Sequence, residues 1–248
     1  MNRTKPDSVY FFGTCLVDLF YPEAGLAGMQ LIEREGVHVI FPQDQSCCGQ
    51  PAWNSGYRDE ARAVAAAQLA LFTKSIPVVV PSASCADMMQ EYPALFRGTP
   101  QEAEALSVAQ RVVELTAFLV DVLDIRLEDL GEPQRVAIHS SCSALRETGV
   151  GDRIESLVGQ LGRVEKVEQA YKRECCGFGG AFSVKQPEIS GAMVADKTDS
   201  IRQTGADILV SQDCGCLMNI GGAFGKQGGG PRCLHIAEFL WERTHADD

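Results

Sequence analysis

The chain has 248 residues, 45% of them hydrophobic and 22% charged, with 33 acidic against 22 basic side chains and a net charge of −11. That length suits two domains of about 120 residues, and the acidic balance argues against nucleic-acid binding and against an anionic membrane surface. No run approaches the roughly 20 apolar residues of a membrane-spanning helix, and the apolar stretch after residues 1–7 is broken by Gly13 and Asp18, unlike a signal peptide. Direct membrane insertion is not expected. The reading is a cytoplasmic protein, with peripheral attachment to the inner membrane through partners left open.

In chain order, residues 9–12 and 37–41 read as short β-strands, 58–74 as a helix, 77–80 as a third strand and 106–123 as a second helix. Gly131-Glu132-Pro133 reads as a turn. After it, 135–139 and 163–167 read as strands, 187–204 as a helix and 207–210 as a strand. The glycine-rich stretch 221–230 reads as a loop and 234–244 as a last helix. Alternating β and α predicts parallel sheets covered by helices.

The chain holds ten cysteines. In a reducing compartment such a number points to metal ligands or catalytic groups rather than disulfides. Nine of them form a pattern that occurs twice. Cys15, Cys47-Cys48 and Cys85 are followed by Cys142, Cys175-Cys176 and the pair Cys214 and Cys216. Cys15 and Cys142 are 127 apart, the Cys-Cys-Gly motifs 128 apart, and Cys85 lies 129 before Cys214 and 131 before Cys216. Val78-Val79-Val80 before Cys85 matches Ile208-Leu209-Val210 before Cys214. A period of this size is a domain, not a solenoid unit. The reading is an internal duplication, with a first lobe over 1–131 and a second over 132–248. The expected fold class is α/β, in two pseudo-symmetric lobes, each a mostly parallel sheet flanked by helices.

Cys15, Cys85, Cys142 and Cys214/Cys216 each follow a predicted strand. Ligands collect at the carboxyl ends of strands in open α/β sheets, and the amides of a following helix favour anionic groups. A thiolate-ligated cluster is such a group. Adjacent cysteines make a strained disulfide, but on a tight turn both can approach one metal assembly, and the glycine after each pair allows an unusual φ. Cys233 has no counterpart in the repeat: it falls opposite Val112 and reads as a small buried hydrophobe. Four thiolates also make a good tetrahedral zinc site, so zinc and iron–sulfur both stay open for the first lobe.

The pattern resembles the duplicated cysteine-rich CCG domain, found in heterodisulfide reductase, in the iron–sulfur component of glycolate oxidase and in the lactate-utilisation iron–sulfur proteins. The run from Cys175 to Lys185, Cys216-Leu217-Met218-Asn219-Ile220 and His235-Ile236-Ala237-Glu238 are most similar to the last of these, the LutA/YkgE group. The resemblance implies Rossmann-like lobes and iron–sulfur clusters of the 4Fe–4S kind, with zinc an alternative in one lobe. It implies a non-autonomous oxidoreductase subunit, the electron-transfer component of a system that oxidises L-lactate to pyruvate. The implied partners are a ferredoxin-containing LutB-like protein and a LutC-like protein. The implied ligands are Cys15, Cys47, Cys48, Cys85, Cys142, Cys175, Cys176 and Cys216, with Cys214 as a further candidate. The family motif ends Cys-x-x-Cys, whereas Met88 stands where a fifth first-lobe cysteine would be, and the second half carries Cys214-Gly215-Cys216.

His139 ends a predicted strand and His235 opens the last predicted helix. Either could touch the second site, and His235 is the better candidate for a proton donor there. Arg146 and Lys185 are candidates to balance cluster charge or hold a carboxylate, against a plain surface role. No nicotinamide, flavin or P-loop fingerprint is present. Hydride abstraction from a hydroxy acid therefore has no visible acceptor in this chain except a cluster. A cluster enzyme acting directly on a thiol, disulfide or hydroxy acid, and a zinc-stabilised interaction protein, are the competing functions.

Overall fold

A computed structural model describes residues 5–245; the part of the amino-terminal reading that falls on residues 1–4 lies outside it. The chain divides into two compact units, 1–124 and 125–248.

The first unit is a four-stranded parallel sheet. Its strands are β1 (Ser8–Phe11), β2 (His38–Ile40), β3 (Val78–Val80) and β4 (Val112–Glu114), in the order β2-β1-β3-β4. The second unit repeats it with β5 (Gln134–His139), β6 (Val164–Val167), β7 (Ile208–Ser211) and β8 (Arg232–His235), in the order β6-β5-β7-β8. Helices flank both sheets, as the alternating pattern predicts. The central strands β3 and β7 are buried along their whole length. Their Val-Val-Val and Ile-Leu-Val runs fit a sheet covered on both faces.

In the first unit Phe72 meets Tyr10 and Phe12 edge-on, at ring-centroid distances of 5.3 and 5.9 Å. Such pairs contribute about 0.5–1.5 kcal/mol beyond their buried area. The core around them runs from Cys48 through Ala61, Ala65 and Leu69 to Met88 and Tyr92. The matching core of the second unit joins Ala137, Cys176, Val194, Leu209, Cys216, Ile220 and Phe224.

Three predicted elements differ from those observed. The helix expected over 106–123 is a helix Glu102–Ala109, then strand β4, then a short helix Leu115–Ala117 and a π-helical turn Phe118–Val122. Val112 and Val113 pair with Val78 and Val79 as the edge of the sheet, and that tertiary pairing overrides helical spacing. The helix expected over 234–244 is likewise split: β8 takes its first residues and a helix Ile236–Thr244 the rest. The stretch expected as a loop over 221–230 is helical as far as Lys226, within a helix Cys214–Lys226. Its glycines permit close packing: a Cβ on Gly215 would lie 2.5 Å from the Phe178 ring.

The Gly131-Glu132-Pro133 turn lies inside the second unit. Asp129 is held by Arg243, whose Nε donates to Oδ1 at 2.8 Å, and Arg243 also donates to the Glu132 carbonyl. Both side chains are buried. That pair ties residues 125–131 to the last helix. No helix among the described residues is long and apolar enough to cross a membrane.

Candidate metal centres

In the order β2-β1-β3-β4 the connections leave β1 in opposite directions, which opens a crevice at the carboxyl ends of β1 and β3. The cysteines converge there. Cys15 is the first residue of the helix Cys15–Phe20 after β1, behind the capping Thr14, whose hydroxyl accepts from the Val17 amide at 3.4 Å. Cys85 is the third residue of the helix Ala83–Gln90 after β3, where its amide donates to the capping Ser82 hydroxyl at 3.3 Å. Cys47 and Cys48 lie on the loop after β2. The Gly49 amide donates to Cys47 Sγ at 3.4 Å, with φ +90° at the glycine. Cys47 Sγ lies 3.7 Å from Cys15 Sγ, and Cys48 reaches both Cys47 and Cys85.

The second unit repeats this arrangement. Cys142 opens the helix Cys142–Arg146 after β5, with Ser141 Oγ accepting from the Ala144 amide at 3.1 Å. The Gly177 amide donates to Cys175 Sγ at 3.4 Å. Cys142 reaches Cys175, and Cys176 Sγ is 3.1 Å from Cys216 Sγ. Cys216 is the third residue of its helix, as Cys85 is of its own. Cys214 is the first residue, where the first lobe has the fully buried Ala83. The helical register therefore matches Cys216, not Cys214, to Cys85.

Each chain of thiols stores one negative charge most easily. Hydrogen bonds from Cys15 and Cys48 hold Cys47 down at about 3. Cys142 and Cys176 hold Cys175 at about 2. The donors move the other way: Cys15 and Cys142 are raised, first by giving their protons to these neighbours and then by burial. Cys48 and Cys176 are raised for the same two reasons. Such a donor set fits a metal or cluster, whose positive charge favours thiolate at every position.

Side chains other than the cysteines hold the loops in place. Tyr92 Oη donates to the Cys48 carbonyl at 3.0 Å, and Asn219 Nδ2 to the Cys176 carbonyl at 2.8 Å. Gln45 donates to the Phe11 carbonyl and Gln169 to the equivalent Ile138 carbonyl. In the first lobe the buried Gln68 bonds both the amide and the hydroxyl of Ser46, the residue before Cys47. In the second lobe the buried Lys197 donates to the Tyr171 carbonyl at 2.8 Å. Burial lowers its ammonium, while Glu174 and the thiols of Cys176, Cys175 and Cys216 oppose that shift. A lysine on the helix Pro187–Arg202 gave no sequence signal of being inside.

The histidines separate. His235 caps the last helix: its Nδ1 accepts from the Ala237 amide at 3.2 Å and its own amide donates to Glu238 at 3.2 Å. In the first lobe Glu114 does the same for Ala117 at 3.1 Å. His139 is fully buried at the end of β5, and one of its ring nitrogens lies within 4.8 Å of Cys176 and Cys216 Sγ. Burial, and then the Lys197 charge, push its imidazole down to about 3. Cys233 donates weakly to the Pro231 carbonyl at 3.6 Å, packs in the apolar core and is pushed up to about 11 by burial. Arg146 is exposed but lines a cleft of about 480 Å³ with Arg173, Glu174, Cys175, Met193 and Asp196. Lys185 is exposed.

The cysteine-rich domain family, CCG, matches residues 9–90 and again 136–221. The chain belongs to this family. It is 47% identical over 239 residues to lactate utilization protein A of Geobacillus kaustophilus, covering 95% of this chain and 99% of that one. It is 43% identical over 238 residues to the Bacillus subtilis protein of the same name, with the same coverage. Among solved structures, a hypothetical protein from Helicobacter pylori superposes over 100% of this chain and 51% of its own length. The TM-score is 0.66 at 10% identity, a likeness of fold.

Proposed function

We propose that the chain is the iron–sulfur electron-transfer component of a multi-subunit system that oxidises L-lactate, or a related 2-hydroxy acid, to pyruvate. The observation that carries this is the pair of four-thiol sites at the same crevice of both lobes, in a CCG-family chain whose relatives are named for lactate utilization. Cys15, Cys47, Cys48 and Cys85 would hold one group, and Cys142, Cys175, Cys176 and Cys216 the other. A 4Fe–4S cluster would supply one-electron transfer at a potential set by charge, burial and hydrogen bonds to sulfur. The chain's own contribution is to present the thiols, donate the Gly49 and Gly177 amides to sulfur, and bury the Lys197 charge beside the second set. A ferredoxin-containing LutB-like protein and a LutC-like protein are the partners, in the cytoplasm, where thiols stay reduced.

Two measurements test this reading. Iron, sulfide and zinc are counted in anaerobic wild type, Cys48→Ala and Cys176→Ala, with each substitution expected to remove one lobe's metal. Zinc in both lobes without iron or sulfide sinks the electron-transfer function; zinc in the first lobe alone leaves it to the second. Lactate oxidation is then assayed with the chain alone and with the two partners added. Activity only with partners is expected, and turnover by the chain alone overturns it.

One observation favours a second reading, direct chemistry on the hydroxy acid. The cleft beside Cys175 presents Arg146 and Arg173, whereas the first-lobe cleft beside Cys15 and Cys47 has Leu19 and Gln45 at those repeat positions. A lactate-induced change in the second site's EPR spectrum would support that reading, and its absence would remove it.

A further inference from the structure

The two lobes are built on one plan, so a polar group present in one and absent from the other needs a separate reason. Phe12 and His139 are such a pair, 127 residues apart like Cys15 and Cys142. Both are fully buried at the carboxyl end of the first strand of their sheet. Phe12 is satisfied there by packing against Phe72. His139 has two polar nitrogens in the same place, and neither has a hydrogen-bond partner among the described residues.

A buried polar atom left unsatisfied costs about 1–3 kcal/mol, and nearly all such atoms in folded proteins are paired. Two on one ring, in a lobe that could have carried phenylalanine, point to a partner that is not a protein atom. One ring nitrogen, Cys176 Sγ and Cys216 Sγ all lie within 4.8 Å of one another. Metal–sulfur bonds of about 2.3 Å and metal–nitrogen bonds of about 2.0–2.1 Å let donors up to about 4.4 Å apart share one metal, so a shift of at most a few tenths of an ångström brings all three onto it. An imidazole nitrogen that no protein donor occupies can offer its lone pair to a metal.

We infer that His139 is a metal ligand of the second lobe, bonding through an imidazole nitrogen beside Cys176 and Cys216. This rests on the reading of those thiols as a metal or cluster site. The second centre is then a mixed thiolate–imidazole site, while the first is all thiolate. Imidazole adds no negative charge, so the two centres differ in donor chemistry as well as in their surroundings.

The test uses the full chain, labelled with 15N only in histidine and loaded anaerobically. Pulsed EPR on the reduced centre, or X-ray absorption if the metal is zinc, reports nitrogen bound to metal. The expected result is a directly bonded nitrogen in wild type that is lost in His139→Phe and His139→Gln, with the apo proteins melting cooperatively. In loaded wild type, absence of bound nitrogen overturns the inference even if both variants misfold. A nitrogen signal that persists in a folded variant does the same. A wild type that takes up no metal overturns the site reading itself, and the inference falls with it; metal content measured first separates that failure from the other.

Discussion

Cys47 and Cys175 sit at the receiving end of hydrogen bonds from Cys15 and Cys142, and their pKa values of about 3 and 2 follow from those bonds. A depressed pKa means that the thiolate survives as pH falls. In chelator-treated, reduced protein, alkylation at Cys47 and Cys175 should therefore stay nearly constant from pH 8 to pH 5. An ordinary cysteine, with a pKa near 8.5, loses about tenfold per unit over that range. Peptide mapping of alkylated sites at several pH values checks this, and a tenfold fall per unit at Cys47 would refute it. The histidines call for the opposite expectation. Replacing the capping His235 by alanine should cost about 1 kcal/mol of stability and leave metal content unchanged, as read by denaturant unfolding and metal analysis. The cysteines were legible in the sequence because their chemistry is a property of residue type and spacing. The histidines were not, because both end strands and only tertiary placement tells a helix cap from a side chain aimed at thiols.

At the scale of elements, the Cys-Cys-Gly turn is the unit that the fold repeats. Gly177 has φ +83°, and a Cβ there would lie 2.8 Å from the Ser190 carbonyl oxygen. The left-handed backbone alone costs an L-residue about 1–2 kcal/mol, and the backbone contact cannot relax by a rotamer change. Gly177→Ala should destabilise the chain by at least that amount and lower second-lobe metal content; urea unfolding and iron counts decide. The central strands were legible because Val78–Val80 and Ile208–Ser211 are short apolar runs between turn residues. The edge strands β4 and β8 were not, since each is three or four residues continued directly into a helix. The glycines of the helix Cys214–Lys226 hid it, and only for Gly215 is the reason for a glycine visible, in the Phe178 ring that a Cβ there would meet.

Over the whole molecule, the duplication shows the same architecture with different interiors. Gln68 and Lys197 both brace the loop that carries the paired cysteines, but only Lys197 brings charge. A buried cation favours the more negative, reduced form of a nearby centre. Lys197→Met should therefore move the second centre's midpoint potential to a more negative value and leave the first unmoved, as read by redox titration of both signals. The second unit also depends on one buried ion pair. Arg243→Met leaves Asp129 buried without its partner, a loss of about 3–5 kcal/mol that thermal melting would show.

The hydrogen-bonded thiols also fix a proton inventory. Cys15 and Cys48 in one lobe, and Cys142 and Cys176 in the other, keep their protons well above neutral pH because each gives a hydrogen bond to a neighbouring sulfur. A metal can bind them only by displacing those protons. Loading either centre must acidify an unbuffered solution and tighten as pH rises, so assembly of this protein is coupled to the acidity of the compartment in which it matures.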